Sequence, residues 1–299
     1  MKKFALACAI ALAPVAAISG PIGAFTDLLV FGDSLSDPGN AFATFGAAAV
    51  DPVIYPDGQF TDGDVWATKL GADLASGTNF AFGGATATTN GDLSPDFAAQ
   101  RTSYFGSGVS LGDNPLTAVW FGGNDLRVAT PATAPTIIVQ AVADIATGIA
   151  ELAASGLDDF LVFNLPSLGS LPGIVGTPAE PVAEGLTRSF NDALAAALAP
   201  LSAIASIEVF DTFSWFERFI AQAEADGLVI DEACLALGST CDPSNATTHI
   251  NWDGLHPTEF VHQALADRIE ANIVPLPAGM VLLVTGFGAL TVMRRRKQT

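Results

Sequence analysis

Five short runs of this chain, Asp27–Phe31, Asn79–Phe82, Leu116–Phe121, Phe160–Asn164 and Ile207–Phe210, are largely apolar at consecutive positions and stop at Gly, Pro, Asn or Asp. A strand with one wet face alternates apolar and polar residues, so these runs predict strands covered on both faces, as in a parallel sheet. Between them, helical periodicity appears at Asp64–Leu74, Pro135–Ala154, Glu184–Ala199, Trp215–Ala225 and Thr258–Asn272. Strand, helix, strand in repetition requires right-handed crossovers, which place helices on both faces of the sheet. The expected fold is therefore an α/β protein, a three-layer α/β/α sandwich on a parallel sheet.

Both ends of the 299-residue chain read as addresses rather than as core. Lys2 and Lys3 precede the apolar run Phe4–Ala13, Pro14 breaks it, and small residues come next, which is the pattern of an export signal over residues 1–24. At the other end no charged residue occurs from Ala271 to Met293, and Arg294-Arg295-Arg296-Lys297 follows at once, as expected of a membrane helix with a cytoplasmic basic stop. Its lead-in, "VPLPAG" (Val274 to Gly279), resembles the VPLPA variant of bacterial PEP-CTERM sorting tails. That resemblance implies a segment 274–299 that anchors the protein transiently until an exosortase-type enzyme removes it. The working domain is then 25–273.

Charge excludes one class of partner. All 31 acidic residues lie between Asp27 and Glu270, against six basic ones in the same span, a net charge of −25. Such a surface repels phosphate backbones, so nucleic acid is not an expected partner. Cys234 and Cys241, with the six residues "LALGST" between them, suit a small disulfide loop in an oxidising compartment. With His249 they would supply only three ligands, a poor zinc site, and the carboxylates are scattered rather than grouped with histidines, so neither metal nor cofactor is expected.

In an open parallel sheet, chemistry sits beyond the carboxyl ends of the strands. Those ends read "GDSLSD" (Gly32 to Asp37), "GGATAT" (Gly83 to Thr88), "GGND" (Gly122 to Asp125) and "LPSLGSLP" (Leu165 to Pro172), and "WDGLHPTEF" (Trp252 to Phe260) lies close to the last helix. The set resembles the GDSL, or SGNH, hydrolase family of lipases and esterases across about 230 residues. "NLPSLG" resembles a segment common in its plant and phospholipase-like branches. The resemblance implies a flavodoxin-like sheet order. It also implies Ser34 as nucleophile, Gly84 and Asn124 in the oxyanion site, and Asp253 with His256 as the Asp-x-x-His pair. Gly84 is preferred to Gly83 because it keeps the family's spacing from Asn79.

The residues support that assignment independently. A serine hydroxyl needs a base, and the base needs a partner that fixes its tautomer. Of three histidines, only His256 has an acid three residues earlier in a short glycine-containing turn. His262, within the last helix, is expected on the surface or in packing, and His249 at most at the border of the site. Ser110 in "GVSLG" matches a G-x-S-x-G elbow, but a strand comes after it where a helix is required, so a loop is expected. Ser36 is expected to hold its loop or to cap the next segment of chain. The expected activity is an exported serine ester hydrolase, lipase, esterase or phospholipase-like, acting on lipid or small acyl esters through an acyl-enzyme. A carbohydrate acetyl esterase on extracellular polysaccharide and a non-catalytic surface or matrix protein are the alternatives. Loops 42–62 and 165–183, rich in Ala, Phe, Pro and Gly, are expected to shape the acyl pocket.

Overall fold

The computed structural model describes residues 24–273. The expected tail, and the expected leader apart from Ala24, lie outside the described residues. The elements in chain order are β1 (Asp27–Gly32), α1 (Asn40–Phe45), α2 (Trp66–Lys69), α3 (Phe97–Ser107), β2 (Pro115–Trp120), α4 (Gly123–Arg127) and α5 (Ala134–Ala154). They continue with β3 (Asp159–Phe163), α6 (Glu180–Leu198), β4 (Ser206–Phe210), α7 (Thr212–Ala225), β5 (Val229–Ala233), β6 (His249–Asn251) and α8 (Glu259–Ile273).

β1, β2, β3 and β4 pair in that order, all parallel, with Leu28 opposite Leu116 and Thr117 opposite Phe160. The run Asn79–Phe82 lies along the free side of β1: Val30 donates to the Thr78 carbonyl, and Phe80 and Phe82 donate to the carbonyls of Val30 and Gly32. It is a sheet edge without being a regular strand. Its outer side is closed by side chains, because Asn40 Nδ2 donates to the carbonyls of Asn79 and Ala81 while Asn79 Oδ1 accepts the Ala81 N–H. With this edge counted, the spatial order is the expected flavodoxin-like one.

Neighbouring aromatic residues show the layering. Trp120 and Phe121 point to opposite sides of the sheet. Trp66 of α2 packs on Trp120 and Phe163 on one side, with ring centroids 6.4 and 4.9 Å apart, and α2 packs against α8. On the other side Phe97 of α3 meets Phe121 at 4.9 Å and Phe31 at 5.7 Å, and α3 continues into α5 and α6. β1 and β2 are buried at five consecutive positions, which is why their sequences are apolar without alternation.

One sequence expectation is corrected and two elements are added. The helix expected over Asp64–Leu74 is confined to α2, because Gly71 at φ +90° ends it and Ala72 turns back to donate to the Ala67 carbonyl. α3, started by an Asp96 side chain that accepts the Ala99 N–H, was not expected at all. Nor was the separate parallel pair β5–β6, in which Val229 opposes His249 and Ala233 opposes Asn251. The Cys234–Cys241 disulfide forms as expected and leads directly from this pair.

Candidate active site

The five expected residues arrive from four loops at the carboxyl side of the strands. Ser34 follows β1, Gly84 follows the sheet-edge run, Asn124 opens α4 after β2, and Asp253 with His256 follow β6. His256 Nε2 lies 2.9 Å from Ser34 Oγ, and His256 Nδ1 lies 2.8 Å from Asp253 Oδ2. Ser34 and His256 are both buried.

The turn that carries Asp253 and His256 is built on the small sheet. Cys234 and Leu235 donate to the carbonyls of Asn251 and Trp252, Trp252 donates to the His256 carbonyl, and Asp253 Oδ1 accepts the N–H groups of Leu255 and His256. The Trp252 indole donates to the Ile54 carbonyl at 3.0 Å, which ties this turn to the loop ahead of α2. From that loop comes Tyr55, which the sequence did not single out: its hydroxyl donates to Asp253 Oδ2 at 2.5 Å. Burial acts to raise the Asp253 carboxyl, but donors from His256 and Tyr55 outweigh it and hold the group down at about 2. Burial and the neighbouring carboxylate push the Tyr55 hydroxyl well above its usual range, so it remains a donor.

Two buried carboxylates fix the other loops. Asp37 accepts the N–H groups of Gly39, Asn40 and Ala41 in its own loop and that of Gly83 across the sheet, at 2.7 Å. Burial raises it to about 6 against the pull of those four donors. Asp125 accepts from the Ala87 N–H and from the N–H and hydroxyl of Thr88, which binds α4 to the glycine loop. Asn124 Nδ2 donates one hydrogen to the Ala85 carbonyl at 2.9 Å, leaving the second for another acceptor. Gly84 sits at φ +84°, where an L side chain is strained, and a Cβ there would approach Ser94 Oγ at 2.8 Å. Asp33, beside Ser34, accepts the Leu35 N–H, and burial pushes it up to about 7.

The rival residues fall elsewhere. Ser110 lies in an exposed loop, as expected. Ser36 is buried and holds the loop, its Oγ accepting the Trp66 indole N–H at 3.1 Å. His249 bonds Thr248 and Ser239 rather than Ser34. His262 is a packing residue, not a surface one: it is buried, accepts the Trp66 backbone N–H, and is held neutral by burial, down to about 3. Among the described residues no group of three His, Cys, Asp or Glu side chains is arranged to hold a metal ion.

Two cavities open on Ser34 and His256. One, of about 400 Å³, runs between Trp120, Leu168, Ile174, Leu186, Trp215 and Leu265 and is almost wholly apolar. The other, of about 550 Å³, lies on the opposite side among Phe45, Val50, Phe60, Gly83, Gly84 and Ser94. Loop 165–183 lines the first and loop 42–62 the second.

Comparison with known proteins identifies the family of the chain. The model of the family described as GDSL-like Lipase/Acylhydrolase matches residues 28–269. The chain is 27% identical to the phosphatidylcholine-sterol acyltransferase of Aeromonas hydrophila, over 89% of this chain and 96% of that one. It is 33% identical to Lipase 1 of Photorhabdus luminescens over 51% of this chain, and the match spans only 24% of that lipase. Among solved structures, LAE5, an alpha/beta hydrolase enzyme from the metagenome of Lake Arreo, is 15% identical over 86% of this chain and all of that one, with a TM-score of 0.49. With the match running from β1 into α8, the chain belongs to the GDSL-like lipase/acylhydrolase family of ester hydrolases.

Proposed function

We propose that this chain is an exported serine hydrolase of acyl esters that works through an acyl-enzyme formed on Ser34. The contact of 2.9 Å between Ser34 Oγ and His256 Nε2, at the mouth of the apolar cavity, carries the reading. As Ser34 Oγ bonds the ester carbonyl carbon, His256 Nε2 takes its proton, and Asp253 holds the ring with Nδ1–H directed at its own Oδ2. The charge that develops on the carbonyl oxygen meets the backbone N–H of Ser34, the second hydrogen of Asn124 Nδ2 and the N–H of Gly84. Gly83 is unsuited to that role, since its N–H is committed to Asp37. The C–O bond then breaks, His256 returns the proton to the leaving alkoxide, and the acyl group stays on Ser34. Water, deprotonated by the same ring, releases the acid and restores the hydroxyl.

The first cavity supports an acyl-chain substrate. About 400 Å³ of apolar space is far more than an acetyl group fills and favours an extended acyl chain over an acetylated sugar. A chain-length series of p-nitrophenyl esters, run beside phospholipid and acetylated glycan, tests this. Turnover rising with acyl length, abolished in a folded Ser34→Ala protein and retained in Ser110→Ala, is the expected result. Activity confined to acetyl esters overturns the acyl assignment, and full activity in folded Ser34→Ala overturns the nucleophile.

The apolar segments at both ends support export and a transient membrane anchor, with the hydrolase released to the cell surface or medium by cleavage near Pro277. Mass spectrometry of the exported protein tests this. A C-terminus still ending in "RRRKQT", in a strain that makes an exosortase, shows a permanent anchor instead.

A further inference from the structure

Among the described residues, three buried side-chain polar atoms have no hydrogen-bond partner: Thr117 Oγ1, Trp120 Nε1 and His262 Nε2. Trp120 and His262 both line the apolar cavity that opens on Ser34, whereas Thr117, three positions before Trp120 on β2, faces the other side of the sheet. Both orphans in the cavity wall are donors. An indole nitrogen carries a hydrogen and accepts nothing, and the neutral His262 ring has its Nδ1 taken by the Trp66 backbone N–H, so its one hydrogen stands on Nε2. Both rings are fixed against Trp66, His262 through that bond and Trp120 through a ring contact with centroids 6.4 Å apart, while Phe163 stacks on Trp120 at 4.8 Å. Trp120 is the register partner of Gly32, two residues before Ser34, and His262 lies six residues beyond His256. The donors therefore belong to the segments that carry the Ser34–His256 pair.

We propose that Trp120 and His262 form a polar subsite in the wall of the acyl cavity, so that the preferred substrate is an ester whose acyl chain carries a neutral acceptor oxygen, rather than an ester of a plain alkanoic acid. The inference rests on the acyl-ester reading of the same site. Ligand cavities select among similar molecules through a few polar groups set in an apolar lining, and a buried donor left unpaired costs its full desolvation. An oxygen in the chain offers two lone pairs, one for each N–H. A chain of methylenes alone seals both donors from water with nothing to meet them, and so binds less well. Leu168, Ile174, Leu186 and Leu265 remain to pack the methylenes around the oxygen. Neither donor is charged, and the net charge of −25 on the domain disfavours an anionic chain, so a neutral oxygen is the group that fits.

The test compares p-nitrophenyl dodecanoate with its oxo analogues, each bearing one ketone at a different position along the chain. A lining without donors discriminates against every ketone, because the oxygen leaves water and gains no partner. The intact enzyme is expected instead to favour at least one oxo ester over the plain ester in kcat/KM. Trp120→Phe keeps an aromatic ring against Phe163 and lowers the ratio of that oxo ester to the plain one by about fivefold, the size of one neutral hydrogen bond. His262→Asn keeps a side-chain acceptor for the Trp66 N–H, lacks Nε2, and lowers the ratio by a similar factor. Folded Ser34→Ala protein, which holds the ester uncleaved, gives a direct reading. Its Trp120 indole N–H resonance, identified by its loss on Trp120→Phe, moves downfield with the oxo ester and not with the plain one. A plain ester preferred to every oxo ester, a ratio that both variants leave unchanged, or an indole resonance that does not move overturns the subsite and leaves the acyl-ester reading standing. If the intact enzyme cleaves none of the esters, the acyl-ester reading fails and the subsite with it.

Discussion

The Tyr55 hydroxyl and the His256 ring share one acceptor, the Oδ2 atom of Asp253, at 2.5 and 2.8 Å. The orienting carboxylate is thus held from a loop almost two hundred residues away in sequence, and its charge is divided between two donors. Tyr55→Phe keeps the ring packed against Phe60 and removes only the donor. Asp253 then loses the donor that anchors it to the loop ahead of α2 and holds the imidazole less firmly. The expected outcome is a kcat lowered up to about tenfold, with KM little changed. A merely structural tyrosine would lower stability and leave kcat where it was.

Asn124 has a structural hydrogen bond as well as a proposed catalytic one. Asn124→Ala therefore has two measurable effects: loss of the bond to the Ala85 carbonyl, about 1 kcal/mol of stability, and loss of an oxyanion donor, about a hundredfold in kcat. Thermal melts and steady-state kinetics separate them. A lowered melting temperature with an unchanged kcat would reduce Asn124 to a loop anchor.

Asp33 lies beside Ser34 with its carboxyl pushed by burial up to about 7. The folded protein therefore keeps a proton that the unfolded chain releases above about pH 4. Stability linked to this group is complete below pH 4 and is lost progressively as the pH rises to 7. Asp33→Asn preserves an acceptor for the Leu35 N–H and removes the titration. Its melting temperature is expected to match that of the unmodified protein near pH 4 and to exceed it increasingly up to pH 8. Two curves that stay parallel across this range contradict the assignment.

The sheet was legible in the sequence because strands buried on both faces leave long apolar runs, and the GDSLSD and WDGLHP stretches hold Ser34, Asp253 and His256, which the structure brings into contact. The features that stayed hidden depend on distance in sequence or on weak patterning. β5, with the sequence VIDEA, is only partly buried, and β6 has three residues, so neither leaves a periodic signal. α3 buries Phe97, Gln100 and Arg101 and is otherwise mostly exposed and polar; Gln100 turns inward to bond both the N–H and the carbonyl of Gly32. Asp37 reads as a turn residue until the fold brings Gly83 against it. Tyr55 has no local feature that marks it, since its meaning lies entirely in its meeting with Asp253.

Ser34 and His256 are 222 positions apart, one at the end of the first strand and the other just before the last helix. A ribosome therefore delivers Ser34 early and His256 late. Bond cleavage becomes possible only when nearly the whole domain has been made and closed upon itself. The contact between Ser34 and His256 is thus a report of a domain built almost to its last helix, and a fragment stopped short of His256 lacks it however well its first strands have folded.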